Sequence, residues 1–314
     1  MKLKMQIGAK MLLFVMVTSV SIMLVIGLFI GFRINKIAHD NAVKLAQAEA
    51  EKTANQIKSE LELDMGFSRS LAHALYIYPK FDTVLLDSIF FNVLNHQVIN
   101  NSRYLTVWYS VEYSAFRKGY TKDYGRRSVT TYLNNGIPTR DVEHKNVTGD
   151  ITTSNYYTSK MCNCELLLDP YTFEYGGTEV LATSISVPIK VNGKFAGLGG
   201  VDISLEKFQE QIEKIKPYQN TKVALVSNNG TVIAHTNPEY SRLKFVDINT
   251  ADDNQHKISE KIKNGQSYRY FSDINGEQNL NILTTIKIGE STNTWSIFLS
   301  IPMSEIVIEA RRSV

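Results

Sequence analysis

The stretch from Tyr156 to Leu205 decides the fold: YYTSKMCNCELLLDPYTFEYGGTEVLATSISVPIKVNGKFAGLGGVDISL. Its first third is crowded with aromatic and ionisable residues: Tyr156, Tyr157, Lys160, Asp169, Tyr171, Phe173, Glu174 and Tyr175. Val180 to Val191 then turns apolar and β-branched, Asn192-Gly193 is a two-residue turn signal, and Phe195 to Ile203 reads as a second strand. Two strands joined at Asn-Gly predict a hairpin with a type I′ turn. A polar, aromatic segment delivered onto a rigid hairpin makes a plausible binding wall.

Upstream, Met11 to Phe32 carries no charged side chain over 22 residues. As a helix it spans roughly 33 Å, which matches a hydrocarbon core of about 30 Å. Cleaved signals have apolar cores of about 7–15 residues. This run is longer and lacks an Ala-x-Ala exit, so the expectation is an uncleaved transmembrane anchor. Lys2, Lys4 and Lys10 place residues 1–10 on the cytoplasmic side of the inner (plasma) membrane. Arg33 and Lys36 oppose that bias, but the long polar region that follows translocates largely regardless of charge.

Residues 33–78 carry apolar side chains at three- and four-residue steps, from Ile34 and Ile37 to Leu71 and Leu75. A helix of about 44 of these residues is about 66 Å long, too long to be buried in one ordinary domain. It reads as a stalk from the membrane to a distal module. Small residues line its first half as a stalk or dimer seam, and larger ones after Ile57 pack on a domain; Gly66 is a candidate break. Phe81 to Ile99 is a shorter amphipathic helix and Tyr104 to Val111 a strand. Thr139 to Asn155 is polar and reads as surface loop.

After the hairpin, Ser204 can cap a helix from Leu205 to Ile215, and a second unit begins after Pro217. Its strands are Val223–Val226, Thr231–His235, Ser267–Phe271, Leu280–Ile288 and Trp295–Ile301, with a helical stretch near His256–Lys263. The two units end alike: an apolar strand, a polar turn, an apolar strand and a Ser that can start a helix. This weak repeat implies two α/β modules strung along one long helix. They fall at 79–215 and 216–303, with 304–314 an exit helix toward a second membrane segment.

The chain has 314 residues, 43% of them hydrophobic and 21% charged, with a net charge of +3. That composition folds, and spread-out Lys and Arg exclude nucleic acid as a partner. Cys162 and Cys164 are the only cysteines; a spacing of two reads as too close for an unstrained bridge and has no companion ligands for zinc. The six His are scattered, and neither a Gly-x-Ser-x-Gly nor a phosphate-binding loop occurs. No enzyme constellation, cofactor or metal site is expected.

The order of motifs resembles the double-Cache sensor region of bacterial chemoreceptors, histidine kinases and diguanylate cyclases, over about Ile34 to Ile306. The resemblance rests on Tyr156-Tyr157, Asp169-Pro170-Tyr171, Thr183-Ser184-Ile185 with Pro188-Ile189, and Gly199-Gly200-Val201-Asp202-Ile203. In the second unit it rests on Leu225-Val226-Ser227, Asn229-Gly230, Ile233-Ala234-His235, Trp295 and Ile301-Pro302. It implies an α+β chain of two PAS-like modules with antiparallel sheets, outside the membrane, the distal one binding a small ligand. It also implies a homodimer whose cytoplasmic signalling partners act through an output region not seen in these residues.

In that family, amino-acid binders carry an Arg two positions before a Trp-Tyr pair, then Pro-Tyr-x-Asp and Gly-x-Asp. Here the pair is Tyr156-Tyr157, the Arg position holds Ser154, the first Asp position holds Phe173, and Asp202 is retained. The candidate ligand-binding residues are therefore Trp108, Tyr156, Tyr157, Lys160, Asp169, Tyr171 and Asp202. Lys160, one helical turn after Tyr156, is the candidate substitute cation. Each has a plainer reading: core packing for the aromatics, a solvated Lys, a turn Asp, and an Asp202 that satisfies backbone donors. The expected ligand is a small amine, organic acid or amino-acid-like molecule. The expected function is extracytoplasmic sensing by a chemoreceptor. A kinase or cyclase receptor is the near alternative, and a membrane-tethered enzyme or solute-binding accessory protein the distant one.

Overall fold

The computed structural model describes residues 7–77, 83–175, 178–274 and 276–312. The expectations for residues 1–6, for the start of a helix at Phe81 and for the last two residues of the exit helix lie outside them. Helix α1 (Ile7–Leu75) runs unbroken through Gly66. Its large apolar side chains between Met11 and Phe32 are exposed, and it is the one helix among the described residues apolar and long enough to cross a membrane.

Helix α2 (Thr83–Asn100), strand β1 (Tyr104–Glu112), the short α3 (Tyr113–Phe116), β2 (Arg126–Asn134) and β3 (Ile137–Lys145) follow. Next come α4 (Asn155–Cys162), β4 (Leu166–Leu167), β5 (Tyr171–Tyr175), β6 (Thr178–Val191), β7 (Lys194–Ser204) and α5 (Leu205–Lys214). The first sheet is antiparallel in the order β3-β2-β1-β7-β6-β4, with β5 also on β6. The second unit contains β8 (Lys222–Val226), β9 (Val232–His235), α6 (Phe245–Ile248), α7 (Thr250–His256) and α8 (Ile258–Lys263). It ends with β10 (Tyr268–Ile274), β11 (Glu277–Ile286), β12 (Trp295–Pro302) and α9 (Met303–Arg312). Its sheet has the order β10-β11-β12-β8-β9, also antiparallel.

The hairpin forms as its turn residues require: Asn192 (φ 52°) and Gly193 (φ 77°) both take the left-handed conformation of a type I′ turn. Ser204 caps α5 by accepting from the Glu206 amide at 3.2 Å. One apolar core runs along α1 through both sheets, from Ala46 and Ile57 to Leu71, Val201, Ile297 and Ile306. A second cluster around Phe245 and Phe298 fills the far face of the second sheet.

Three expectations change. Ala42, Ala46, Ala50 and Ala54 are not a free stalk seam; they are buried, because α1 packs here on α9 and β11 of the same chain. Small side chains let those backbones come close. Residues 137–145 are not loop but strand β3, paired with β2 through a turn at Asn135 (φ 49°) and Gly136 (φ 79°). Its charges, Arg140 to Lys145, suit an exposed edge strand and hid the alternation. Finally, Cys162 and Cys164 are joined as a disulfide, with Cα atoms 5.1 Å apart. That separation is ordinary for a bridge. It arises because Asn163 closes α4 in the left-handed conformation (φ 49°), folding the chain back on itself.

Candidate ligand-binding site

The first sheet sorts its side chains by strand alternation. Val107, Tyr109 and Val111 of β1, Ile185, Val187 and Ile189 of β6, and Val201 and Ile203 of β7 are buried in the apolar core. The alternate residues face the other way, toward α4, and line a cavity of about 310 Å³. Backbone register places them in rows. Thr106, Asp202 and Ser184 form one row; Thr130, Trp108, Gly200 and Ser186 form the next.

Asp202, only 6% exposed, is the hub of the first row. Its Oδ2 accepts from Thr106 at 2.6 Å, and its Oδ1 from Ser184 at 2.6 Å, the Trp108 indole at 2.8 Å and the Tyr171 hydroxyl at 3.2 Å. Trp108 reaches Asp202 by lying across Gly200. A Cβ there would sit 2.8 Å from the indole and 2.2 Å from the Ile185 carbonyl oxygen. The double glycine is thus a local requirement of the site: Gly200 makes room for Trp108, while Gly199 faces Leu71 of α1.

Helix α4 closes the opposite side. Ser154 caps it by accepting from the Tyr157 amide at 3.1 Å. Tyr156 is buried over the cavity, donates to Glu112 at 2.7 Å and stacks under the Arg126 guanidinium at 3.7 Å. Burial, then the nearby Glu112 carboxylate, pushes the Tyr156 phenol well above its ordinary range. Burial likewise pulls the Arg126 guanidinium down.

The cavity therefore collects Trp108, Tyr156, Tyr171 and Asp202 of the seven candidates. Tyr157, half-buried on α4, lies outside the lining. Lys160 is turned away: it donates to Asp150 at 3.0 Å and to the Asp123 carbonyl at 2.8 Å, and pairs with Glu112 at 3.2 Å. Burial lowers the Lys160 ammonium, but the two carboxylates outweigh it and its pKa rises. Its charge is spent on anchoring α4, so the substitute-cation reading loses its geometric basis. Asp169 faces the second module, where its carboxylate accepts from the Asn229 amide at 3.1 Å. Burial raises its pKa.

Sequence reading missed Arg126, Ser128 and Thr130 on β2 and Ser184 and Ser186 on β6. The available signal was alternation. In Arg126–Thr130, as in Ser184–Ser186, every second residue is polar and shares a face with Trp108. Phe173 and Ser154, read as departures from a motif, also line the cavity. Among the described residues no group of three or more His, Cys, Asp or Glu is placed to hold a metal ion.

A Cache domain family profile matches residues 34–310. The fold is similar to the extracellular domain of the putative histidine kinase mmHK1S-Z3, with a TM-score of 0.67 and 22% identity over 88% of this chain and 98% of that one. It is similar to the periplasmic sensory domain of the Campylobacter jejuni chemoreceptor Tlp1, with a TM-score of 0.60 and 12% identity over 85% and 95%. It is also similar to the ligand-binding domain of the Pseudomonas fluorescens chemoreceptor CtaA in complex with L-serine, with a TM-score of 0.56 and 15% identity over 84% and 99%. A comparison with curated protein sequences found no match. With the profile covering both sheets and the helix that joins them, the chain belongs to the Cache domain family.

Proposed function

We propose that this chain is the extracytoplasmic sensing region of a membrane-anchored receptor, and that a small organic molecule binds between α4 and the first sheet. The observation that carries the reading is the row of uncharged donors fixing Asp202 in the wall of a cavity. Four side chains from β1, β5 and β6 converge on one carboxylate, which holds a rigid polar surface open for a partner. Residues 79–215 form the distal, ligand-binding module, 216–303 the membrane-proximal one, and α1 carries both from the membrane. Chemotaxis is the proposed output. The ligand class is that of amines, organic acids and amino acids; the CtaA domain, of the same fold, was solved in complex with L-serine and also with L-leucine.

The test is a thermal-unfolding screen of the full chain in detergent micelles against those three classes. A stabilising compound whose effect disappears in Asp202→Ala supports the reading, because a ligand specific to the folded state raises stability by mass action. A stabilising compound indifferent to Asp202→Ala would move the site elsewhere. For the output, cells deleted for the gene should lose taxis toward that compound and keep taxis toward others. Unchanged taxis would favour a kinase or cyclase receptor.

A further inference from the structure

Three contacts fix the height of the second sheet along α1. The Gly289 amide, just past β11, donates to Glu62 at 2.9 Å. Arg269 of β10 donates to Gln47 at 3.1 Å, and the Phe271 ring lies 6.0 Å from the His39 ring. Strand β10 therefore descends α1 toward the uncharged run, and β11 climbs back beside it. His39 is seven residues past Phe32, where that run ends, so it stands about 10 Å beyond it. The strand from Phe271 to Ile274 covers about 10 Å more, in the descending direction. The end of β10 thus comes level with the end of the apolar run.

The side chains at this end are apolar and uncovered. Phe271 is 40% exposed and Ile274 37%. Ile34 and Ile37 of α1 are exposed at the same height, as is Ile308 of α9. Helix α9 starts beside the hairpin, where Ser304 donates to Glu277, and it follows β12, which runs antiparallel to β11. From residue 216 onward, the described residues expose two other large apolar side chains, Tyr240 and Leu243. Both lie against β9, at the opposite edge of the sheet. Scattered apolar residues on a surface need no explanation, but a group gathered at one end does. The charges among them suit a layer of phosphates. Arg33, 5.6 Å from the Phe29 ring centre, and Lys36 are exposed, and their long stems can carry the charge into headgroups. Of the acids, Asp273 accepts from the Gly276 amide at 2.8 Å and Glu277 is taken by Ser304. A headgroup layer adds roughly 5–8 Å to each side of the hydrocarbon. Ile274 falls within that layer and Phe271 at its outer edge.

We infer that the tip of the β10–β11 hairpin is a membrane contact, with Ile274 seated among lipid headgroups and Phe271 at their outer boundary, beside Ile34, Ile37 and Ile308. The partner is the lipid surface itself. The second module then leans on the bilayer at a second point besides α1, through partial burial of apolar side chains at the interface. This inference rests on the reading that Met11 to Phe32 crosses a membrane.

The test uses the full chain reconstituted in phosphatidylcholine vesicles, with one nitroxide label on an introduced cysteine. Cys162 and Cys164 are bonded to each other and stay unlabelled. The variants are Ile274→Cys, Ile22→Cys within the apolar run, and Ile137→Cys on the first sheet, where the side chain is 68% exposed. Collisions of the label with oxygen, which concentrates in lipid, are compared with collisions with a water-soluble nickel chelate. The label at 22 meets oxygen and little nickel, and the label at 137 the reverse. The label at 274 meets nickel about tenfold less than the label at 137, because a polar reagent enters lipid poorly, and it meets oxygen more. Phe271→Cys falls between 274 and 137, and it decides the matter if Ile274→Cys does not fold. Nickel collisions at 274 within about twofold of those at 137, with the label at 22 in lipid, overturn the hairpin contact and leave the span in place. Free access of nickel to 22 removes the span and the contact with it. Shielding of 274 from oxygen and nickel alike means that protein covers the tip, which overturns the lipid assignment; dipolar broadening between labels would identify that protein as a second copy of this chain.

Discussion

Asp202 shows how much of a cavity wall one carboxylate can hold together. Its carboxylate satisfies Thr106, Ser184, Trp108 and Tyr171, so Asp202→Ala strands several donors at once. The expected loss is about 2 kcal/mol, readable by urea unfolding, because the open side of the cavity lets water rescue part of it. His235, at the edge of the second sheet, is a residue of another kind. Burial disfavours its imidazolium, and Lys222 adds like-charge repulsion, pulling its pKa from 6.5 to about 4. The Asn237 amide donates to Nδ1 at 2.7 Å, and Tyr240 packs edge-on at 4.9 Å. The folded state binds this proton more weakly than the unfolded chain. Its contribution is complete above pH 6.5 and is lost as pH falls toward about 4, at most about 3 kcal/mol. Unfolding curves between pH 7 and 4 should show that acid slope, and His235→Gln should flatten it. The place of Trp108 and Asp202 in the cavity wall, which follows from strand position, was legible in the sequence. Lys160 and Asp169 were not, because nothing local reveals that Glu112, Asp150 and Asn229 arrive from far along the chain to claim them.

At the scale of elements, the β6–β7 hairpin sets the site by its alternation. One face carries the apolar core and the other carries Ser184, Ser186 and Asp202. A single methyl group tests that division. Gly200→Ala would place a carbon against the Ile185 carbonyl and the Trp108 indole. It should cost about 1–3 kcal/mol by overpacking and displace the indole, seen as a changed Trp fluorescence spectrum. A Gly200→Ala protein with wild-type stability and spectrum would mean that Trp108 does not lie across the strand. The hairpin was readable because Asn-Gly and period-two apolarity are local signals. Strand β3 was not, since a charged edge strand has the composition of a loop. The disulfide was hidden by a single left-handed residue, Asn163, that sequence spacing does not register.

At the scale of the molecule, the segment from Cys162 to Tyr171 ties the cavity to the second module. Glu165 accepts from the Glu290 amide at 3.0 Å, the Leu167 amide donates to Ser291 at 3.1 Å, and Asp169 accepts from the Asn229 amide. Two residues later Tyr171 reaches Asp202. Odd positions thus grip the second module, while Leu168 lines the cavity. A two-state shift at Tyr171 has a short mechanical route to the loops at 227–231 and 288–293. Asp169→Ala should cost about 1–2 kcal/mol, leave ligand affinity unchanged and uncouple the 227–231 loop from binding. The long helix and the two-module plan were legible as periodicity and repeat. The hydrogen-bonded contact of the modules at these loops was not, because it joins residues far apart in the chain. The most direct test of ligand sensing is amide hydrogen exchange on the full chain, with and without a stabilising compound. The account predicts slowed exchange in α4 and around Tyr171 and Ser184, with a second change at 227–231 and 288–293. Protection confined to the second module, or none in α4, would contradict it.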